Sequence, residues 1–224
     1  MTTPSYLPAA LRQLRKDTKL APYIKKFGTP SFERKTSNGK AADPFYALCE
    51  SIVYQQLSGK AAGTIFARFL ALFPAKKPTP KKLLAIPEAT LREAGLSGQK
   101  LSYLRDLAEK FASGYINETL LHEGSDEEIR EHLVAVKGIG VWTADMFLMF
   151  YLHRPDVLPT GDLGIQKGFQ KLFRQNNHSL RNTGVLTLMY ARIAASSRGK
   201  PSATISNIWS GEKFVSRNIE PTIM

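Results

Sequence analysis

The segment VKGIGVWTADM, residues 136–146, places Gly138 and Gly140 immediately before an apolar run. This pattern predicts a tight turn between a helix that ends at Gly138 and a helix that begins after Gly140. Glycines let an anion approach the exposed backbone N–H groups, and the dipole of the second helix favours negative charge there. We interpret the turn as a phosphate-binding site, beside which carbonyl oxygens of the first helix could hold a monovalent cation. Taken alone, however, two such glycines more often mark an ordinary corner between helices.

A single carboxylate follows in the segment LPTGDLG, where Asp162 lies twenty residues after Trp142. An ionised aspartate can stabilise the positive charge that develops on a sugar when an N-glycosidic bond breaks, or can help water to attack. The commoner role of an aspartate after a turn is to cap the next helix. The local sequence alone favours the cap.

The chain is strongly basic, with 31 Lys and Arg residues against 19 Asp and Glu residues and a net charge of +12. Because the basic residues are spread over many segments, the charge belongs to a folded surface rather than to a tail. Such a surface favours a polyanionic partner over a small neutral substrate. We interpret one basic group as a solvated surface that is also able to touch phosphates: Lys76, Lys77, Lys81 and Lys82.

The composition excludes several classes of site. The single cysteine, Cys49, rules out an internal disulfide, a four-cysteine iron–sulfur cluster and a cysteine-rich zinc site. No stretch approaches the roughly 20 apolar residues of a membrane span, and the N-terminus lacks an apolar signal segment. We expect a soluble intracellular monomer, nuclear if its source is eukaryotic. The histidines lack metal-binding spacing, so no transition-metal site is expected: His122, His132, His153 and His178.

Apolar residues recur at helical spacing through most of the chain, and no alternating strand pattern is present. The first predicted core helix covers residues 43–57, after an Asp43 cap and with Pro44 in its first turn. The sequence therefore predicts an all-α fold in one domain, residues 1–224. Further helices are predicted at 58–73, 79–86, 87–94, 101–111, 125–138 and 142–152, from 162 onward, and at 185–195.

Three motifs together resemble the helix-hairpin-helix (HhH-GPD) DNA glycosylase superfamily. They are the hydrophobic-x-GIGxxTA pattern with Asp162 downstream, the segment DPFYALCESIVYQQLSGKAA at 43–62, and AGLSGQK at 94–100. The chain is most similar to the fungal and bacterial 3-methyladenine DNA glycosylases, over about residues 15–198. The resemblance implies a two-lobed helical bundle with the hairpin motif at the cleft.

The resemblance also implies roles for two residues in the removal of alkylated purines from double-stranded DNA. Asp162 would be the catalytic carboxylate, and Trp142 would line the base pocket, where an electron-rich ring favours a cationic base. Members that also cleave the strand use a lysine at the position of Trp142 to form a Schiff base. A tryptophan is no such nucleophile, so the resemblance implies a monofunctional glycosylase that leaves an abasic site.

DNA and cation contacts are implied by the same resemblance. The hairpin and catalytic loop span 133–165, and an intercalating loop spans 95–100, whose side chain would fill the gap left by a flipped base. Backbone carbonyls expected to bind Na+ or K+ belong to Val134, Val136 and Ile139. Residues expected to contact DNA are Gly138, Gly140, Val141, Thr143, Ser58, Leu96, Ser97, Gly98 and Lys100.

The sequence departs from the family at pocket and gap-filling positions. Gly98 stands where a bulky apolar residue is expected, which leaves Leu96 or Ser97 as substitutes, and Gly199 and Ser202 replace tryptophans of bacterial relatives. Two alternatives therefore stay open: a paralogue that binds abasic or distorted DNA without excising bases, and a structural DNA-binding protein outside repair. For Gln55 and Gln56 we favour a structural role over base contact.

Overall fold

The computed structural model describes residues 7–18, 20–28, 43–154 and 157–173. Every regular element within these ranges is helical, which confirms the predicted all-α fold. One short 3-10 turn, Pro74–Lys76, accompanies the α-helices. The α-helices are α1 Leu7–Leu14, α2 Ala21–Phe27, α3 Pro44–Tyr54, α4 Gly59–Ala71, α5 Pro80–Ala85, α6 Glu88–Glu93, α7 Gly98–Ala112, α8 Glu118–Glu123, α9 Asp126–Val134, α10 Val141–Phe150 and α11 Leu163–Phe173.

Helix α3 is the first core helix that the sequence predicts. The carboxylate of Asp43 accepts a 2.7 Å hydrogen bond from the Tyr46 N–H, and Pro44 occupies the first turn. The helix ends at Tyr54 rather than at residue 57, because Gln55 has extended ψ and Gln56 has a φ of +56°. The three residues after Tyr54 therefore form a turn that leads into α4.

Helix α10 is central and apolar, as its composition predicts. All eight residues from Thr143 to Phe150 are buried, and the helix packs against α9 and α3. Its buried carboxylate, Asp145, accepts a 2.8 Å hydrogen bond from Nε of Arg130 on α9. A buried carboxylate needs such a partner, and this pair ties together the two helices of the hairpin.

Helix α7 runs beside the elements that carry the site. Leu101, Leu104 and Leu107 are buried along one face, and the helix packs on α3, α5 and α6. The break before it falls where the sequence predicts, with Gly95 at a φ of +98°. Such a backbone conformation favours glycine.

Some predicted boundaries were wrong, and some helices were missed. Helix α9 ends at Val134, not at Gly138, because the Val136 and Ile139 N–H groups turn back to the carbonyls of Leu133 and Val136. The short helices α1, α2 and α8 were not predicted from the sequence. The predicted helix at 185–195, together with His178, Gly199 and Ser202, lies outside the described residues. No helix in the described ranges is both long and apolar enough to cross a bilayer.

Candidate active site

The turn between α9 and α10 contains Gly138 and Gly140, and the two glycines differ in their surroundings. Gly138 has a φ of +80°, and a Cβ there would overlap the ring of Tyr103 on α7. Glycine at this position is therefore required by backbone conformation and by packing. The side chain that is absent at Gly138 would point into the protein, not toward a bound phosphate.

Gly140 is the open position of the hairpin. It is the N-cap of α10, it is exposed, and a Cβ built on it would meet no atom within 4 Å. Because the cap is a glycine, it has no side chain that could bond to the first turn of α10, which leaves room for an anion beside Gly140. Val141 beside it is 56% exposed, whereas Thr143 is buried and has little surface for contact with DNA.

Asp162 is buried, with 5% of its surface exposed, and both of its carboxylate oxygens accept hydrogen bonds. Oδ1 accepts a 2.9 Å bond from the backbone N–H of Ile165, which makes Asp162 the cap of α11. Oδ2 accepts a 2.7 Å bond from Nε1 of Trp142. The capping role that the local sequence favours is therefore present, together with a second contact that ties the carboxylate to α10.

The loop before α11 holds Asp162 from the backbone side as well. The Asp162 N–H donates to the Pro159 carbonyl at 3.0 Å, and the Gln166 side-chain amide donates to the Thr160 carbonyl at 2.7 Å. A carboxylate that is fixed by both its side chain and its backbone has one orientation. Such preorganisation is what electrostatic stabilisation of a developing charge requires.

The loop at 95–100 presents no bulky apolar side chain to the surface. Leu96 is 2% exposed and packs in the core, while the Ser97 hydroxyl caps α7 by accepting from the Lys100 N–H. The exposed Gly98 has Nη1 of Arg92 as the nearest atom to a Cβ built on it, at 3.4 Å. Gly98 and Lys137 line opposite parts of one open cavity of about 320 Å³ that runs along α7.

Lys100 points inward rather than toward solvent. Its Nζ donates to the carbonyls of Val53 at 2.5 Å and of Gln55 at 2.9 Å, at the end of α3. Burial of the ammonium group lowers the pKa of Lys100 below its usual range. The Gln55 side-chain amide in turn donates to the carbonyl of Gly138 at 2.9 Å, which agrees with the structural role expected for this glutamine.

Two supporting residues of α7 were missed by the sequence reasoning. The Tyr103 ring lies against Gly138, and Asp106 Oδ2 accepts a 2.8 Å hydrogen bond from the Lys137 N–H in the hairpin. Together with Lys100 they recur every three residues. That spacing, which places residues on one face of a helix, was the available signal.

The comparisons with known proteins agree with this geometry. Residues 49–183 match the HhH-GPD superfamily of base excision DNA repair proteins. The chain belongs to this superfamily. The matched segment includes the hairpin, Trp142 and Asp162, so the family assignment covers the candidate site.

Members of the HhH-GPD superfamily with similar sequences and structures include 3-methyladenine glycosylases. The DNA-3-methyladenine glycosylase of Saccharomyces cerevisiae is 38% identical over 167 residues, which are 70% of this chain and 56% of that protein. The chain thus spans just over half the length of this curated relative. A DNA-3-methyladenine glycosidase from Bacillus halodurans superposes with a TM-score of 0.74 and 32% identity, covering 88% of this chain and 94% of that one.

A second solved structure is a complex with DNA. The 3-methyladenine DNA glycosylase of Schizosaccharomyces pombe, bound to abasic DNA, superposes with a TM-score of 0.70 and 27% identity, covering 87% of this chain and 98% of that one.

The remaining predicted contacts fall on the surface or in the hairpin turn. Ser58 is exposed and caps α4, because its hydroxyl accepts from the Ala61 N–H. The carbonyl of Val136 accepts from the Ile139 N–H and keeps a second lone pair. The four lysines of the basic group are exposed, as a solvated surface requires: Lys76, Lys77, Lys81 and Lys82.

Proposed function

We propose that this protein is a monofunctional DNA glycosylase that hydrolyses the N-glycosidic bond of alkylated purines, of the N3-methyladenine and N7-methylguanine type. One observation carries the proposal: Trp142, in the first turn of α10, donates a 2.7 Å hydrogen bond to the carboxylate of Asp162. The same turn exposes the N–H groups next to Gly140. A phosphate held there would therefore lie a fixed distance from the carboxylate.

The proposed reaction divides its tasks among three features. The N–H groups at the start of α10 hold the DNA backbone, and the ring of Trp142 stacks on the flipped base. Asp162, whose carboxylate is oriented by the indole of Trp142 and the N–H of Ile165, stabilises the positive charge that develops on the deoxyribose, or orients water for attack. An alkylated purine already carries positive charge, so its glycosidic bond is weak and modest electrostatic help is enough.

The absence of a strand-cleaving step follows from the residue type at one position. Where other members carry the amine that forms a Schiff base, this chain has Trp142, whose indole cannot act as that nucleophile. The proposed product is an intact strand with an abasic site.

A monovalent cation would fit the hairpin turn. The carbonyl oxygens of Val134, Val136 and Ile139 are the groups that would hold Na+ or K+, since hard oxygen donors suit such ions. The ion would add positive charge beside the N–H groups of α10, where a phosphate binds. We propose no other cofactor.

The proposed partner is double-stranded DNA with a damaged base or an abasic site, bound by a monomer. The net charge of +12 supports a polyanionic ligand, and the S. pombe relative is solved with abasic DNA. The loop at 95–100 favours a second candidate function. Because Leu96 is buried and Gly98 has no side chain, neither residue fills the gap that a flipped base leaves. A protein that binds abasic DNA without flipping bases needs no gap-filling residue.

Incubation with a methylated duplex tests the two candidates. The proposal expects release of free alkylated purine, with the strand breaking only after hot alkali converts the abasic site. Strand cleavage without alkali would contradict the monofunctional assignment. Tight binding to an abasic duplex without base release would favour the second candidate.

A further inference from the structure

Lys100 occupies an unusual place for a lysine in a basic, DNA-binding protein. Two N–H groups of its ammonium donate to backbone carbonyls at the end of α3, those of Val53 and Gln55. The last carbonyls of a helix have no partner within the helix, and a cation there is favoured by the helix dipole. An ammonium group committed to these carbonyls is poorly placed to bind a phosphate. Lys100 therefore joins α7 to the turn between α3 and α4.

Gln55 extends this connection to the hairpin. Its backbone carbonyl accepts from Lys100, while its side-chain amide donates to the carbonyl of Gly138. The residue is half-buried, and the next residue, Gln56, is exposed with a φ of +56°. Fixing Gln55 at two points thus also fixes the exposed turn that follows it.

The hairpin is supported from α7 by two further contacts. The ring of Tyr103 lies one turn after Lys100 and packs against Gly138, and Asp106 accepts from the Lys137 N–H. Along one face of α7, Lys100 therefore contacts the α3–α4 turn, whereas Tyr103 and Asp106 contact the hairpin. The relative position of the two segments depends on this face.

We propose that Lys100 is a positioning residue that acts through Gln55 to hold the α3–α4 turn and the hairpin as one rigid DNA-binding surface. The inference rests on the proposed function only in that both segments contact DNA. Two segments that are held in place before binding lose less conformational entropy when they engage one duplex. Lys100 thus contributes to DNA affinity without touching DNA.

Lys100→Met tests this role, because methionine keeps an unbranched apolar stem and removes the ammonium. The affinity of the full chain for an abasic duplex should fall by about tenfold, whereas the base-release rate at saturating enzyme should fall much less. Lys100→Arg keeps the charge and should recover part of the affinity. Lys25→Met, at an exposed lysine of α2, is the matched control for loss of one positive charge.

A double-variant cycle separates positioning from direct contact. If Lys100 acts through Gln55, Gln55→Met should also weaken binding, and the double variant should lose no more affinity than the worse single variant. Additive losses, or the same loss with Lys25→Met, would contradict the proposal. So would a folded Lys100→Met variant whose affinity stays within twofold of wild type.

Melting temperatures measured in parallel identify variants that do not fold. If Lys100→Met does not fold, Gln55→Met is the remaining test, because the amide that it removes is only half-buried. Unchanged affinity of Gln55→Met for the abasic duplex would then overturn the inference. Binding to abasic DNA needs no catalysis. If wild type releases no base but the Lys100→Met and Gln55→Met losses of affinity are non-additive, the glycosylase proposal is disproved and this inference stands.

Discussion

The indole N–H of Trp142 donates a 2.7 Å hydrogen bond to Oδ2 of Asp162, and the backbone N–H of Ile165 binds the other carboxylate oxygen. The aspartate is thus at once the cap of α11 and the partner of a residue in the first turn of α10. Capping and catalysis, which the sequence presents as alternatives, are compatible in one side chain. The cap orients the carboxylate, and the indole ties it to the hairpin.

Trp142→Phe should separate these functions, because phenylalanine keeps an aromatic face and removes the donor. We expect the single-turnover rate of base release to fall by about tenfold, while affinity for an abasic duplex changes little. Rapid-quench kinetics on a methylated duplex measure the rate. An unchanged rate in a folded variant would show that the hydrogen bond does not orient Asp162 for catalysis.

The two hairpin glycines should respond differently to alanine. Gly138→Ala places a Cβ against Tyr103 at a positive φ and should lower the free energy of unfolding by at least about 2 kcal/mol. Gly140→Ala meets open space and should cost at most about 1 kcal/mol, the loss expected when a helix N-cap becomes alanine, while weakening DNA binding. Chemical denaturation and DNA titration of both variants check this contrast, and each variant serves as the control for the other. Equal stability of the two would refute the packing argument.

Gly98→Leu should supply the exposed apolar side chain that the loop at 95–100 lacks. The nearest atom to a Cβ there belongs to Arg92, whose flexible guanidinium can move aside. A leucine inserted into the gap of an abasic duplex would bury apolar surface, so affinity should rise by about threefold to tenfold. Gly98→Ser is the control without apolar bulk. If both variants bind no better than wild type, the loop does not reach the gap.

Asp106 should make the hairpin support sensitive to acid. Burial alone would raise the pKa of Asp106, but hydrogen bonds from Lys110 and from the Lys137 N–H lower it overall from its ordinary value of 3.8. The unfolded chain then binds a proton more readily than the folded one, so this stability is complete above pH 3.8 and is lost as pH falls through the folded pKa.

Asp106→Asn should accordingly cost roughly 1 kcal/mol of unfolding free energy at pH 6. The difference between variant and wild type should shrink toward pH 3, and urea denaturation across that range measures it. A difference that does not depend on pH would mean that the charge of Asp106 contributes nothing to the contact.

The sequence predicted the elements of this site better than the contacts between them. Helical periodicity located α3, although not its end, and an unbroken apolar run located α10. It could not show that Gly138 faces Tyr103, since that contact depends on how α7 crosses the hairpin. Nor did it show that Lys100 turns inward. A lysine in a DNA-facing loop suggests phosphate contact until the carbonyl groups at the end of α3 are located in space.

Family resemblance supplied what local patterns could not. From the residues alone, Asp162 is a helix cap and the glycines are a corner; the structure retains both roles and adds the bond to Trp142. The gap-filling residue was beyond prediction, because the burial of Leu96 depends on how the loop packs in the core.

The most direct test of the account compares wild type with Asp162→Asn in base release from a methylated duplex. Asparagine is also a good helix cap, so α11 should persist and binding to abasic DNA should be retained. The account predicts release by wild type and a loss of at least about a hundredfold in the variant. Equal release by both proteins would contradict the assignment of Asp162 as the catalytic carboxylate.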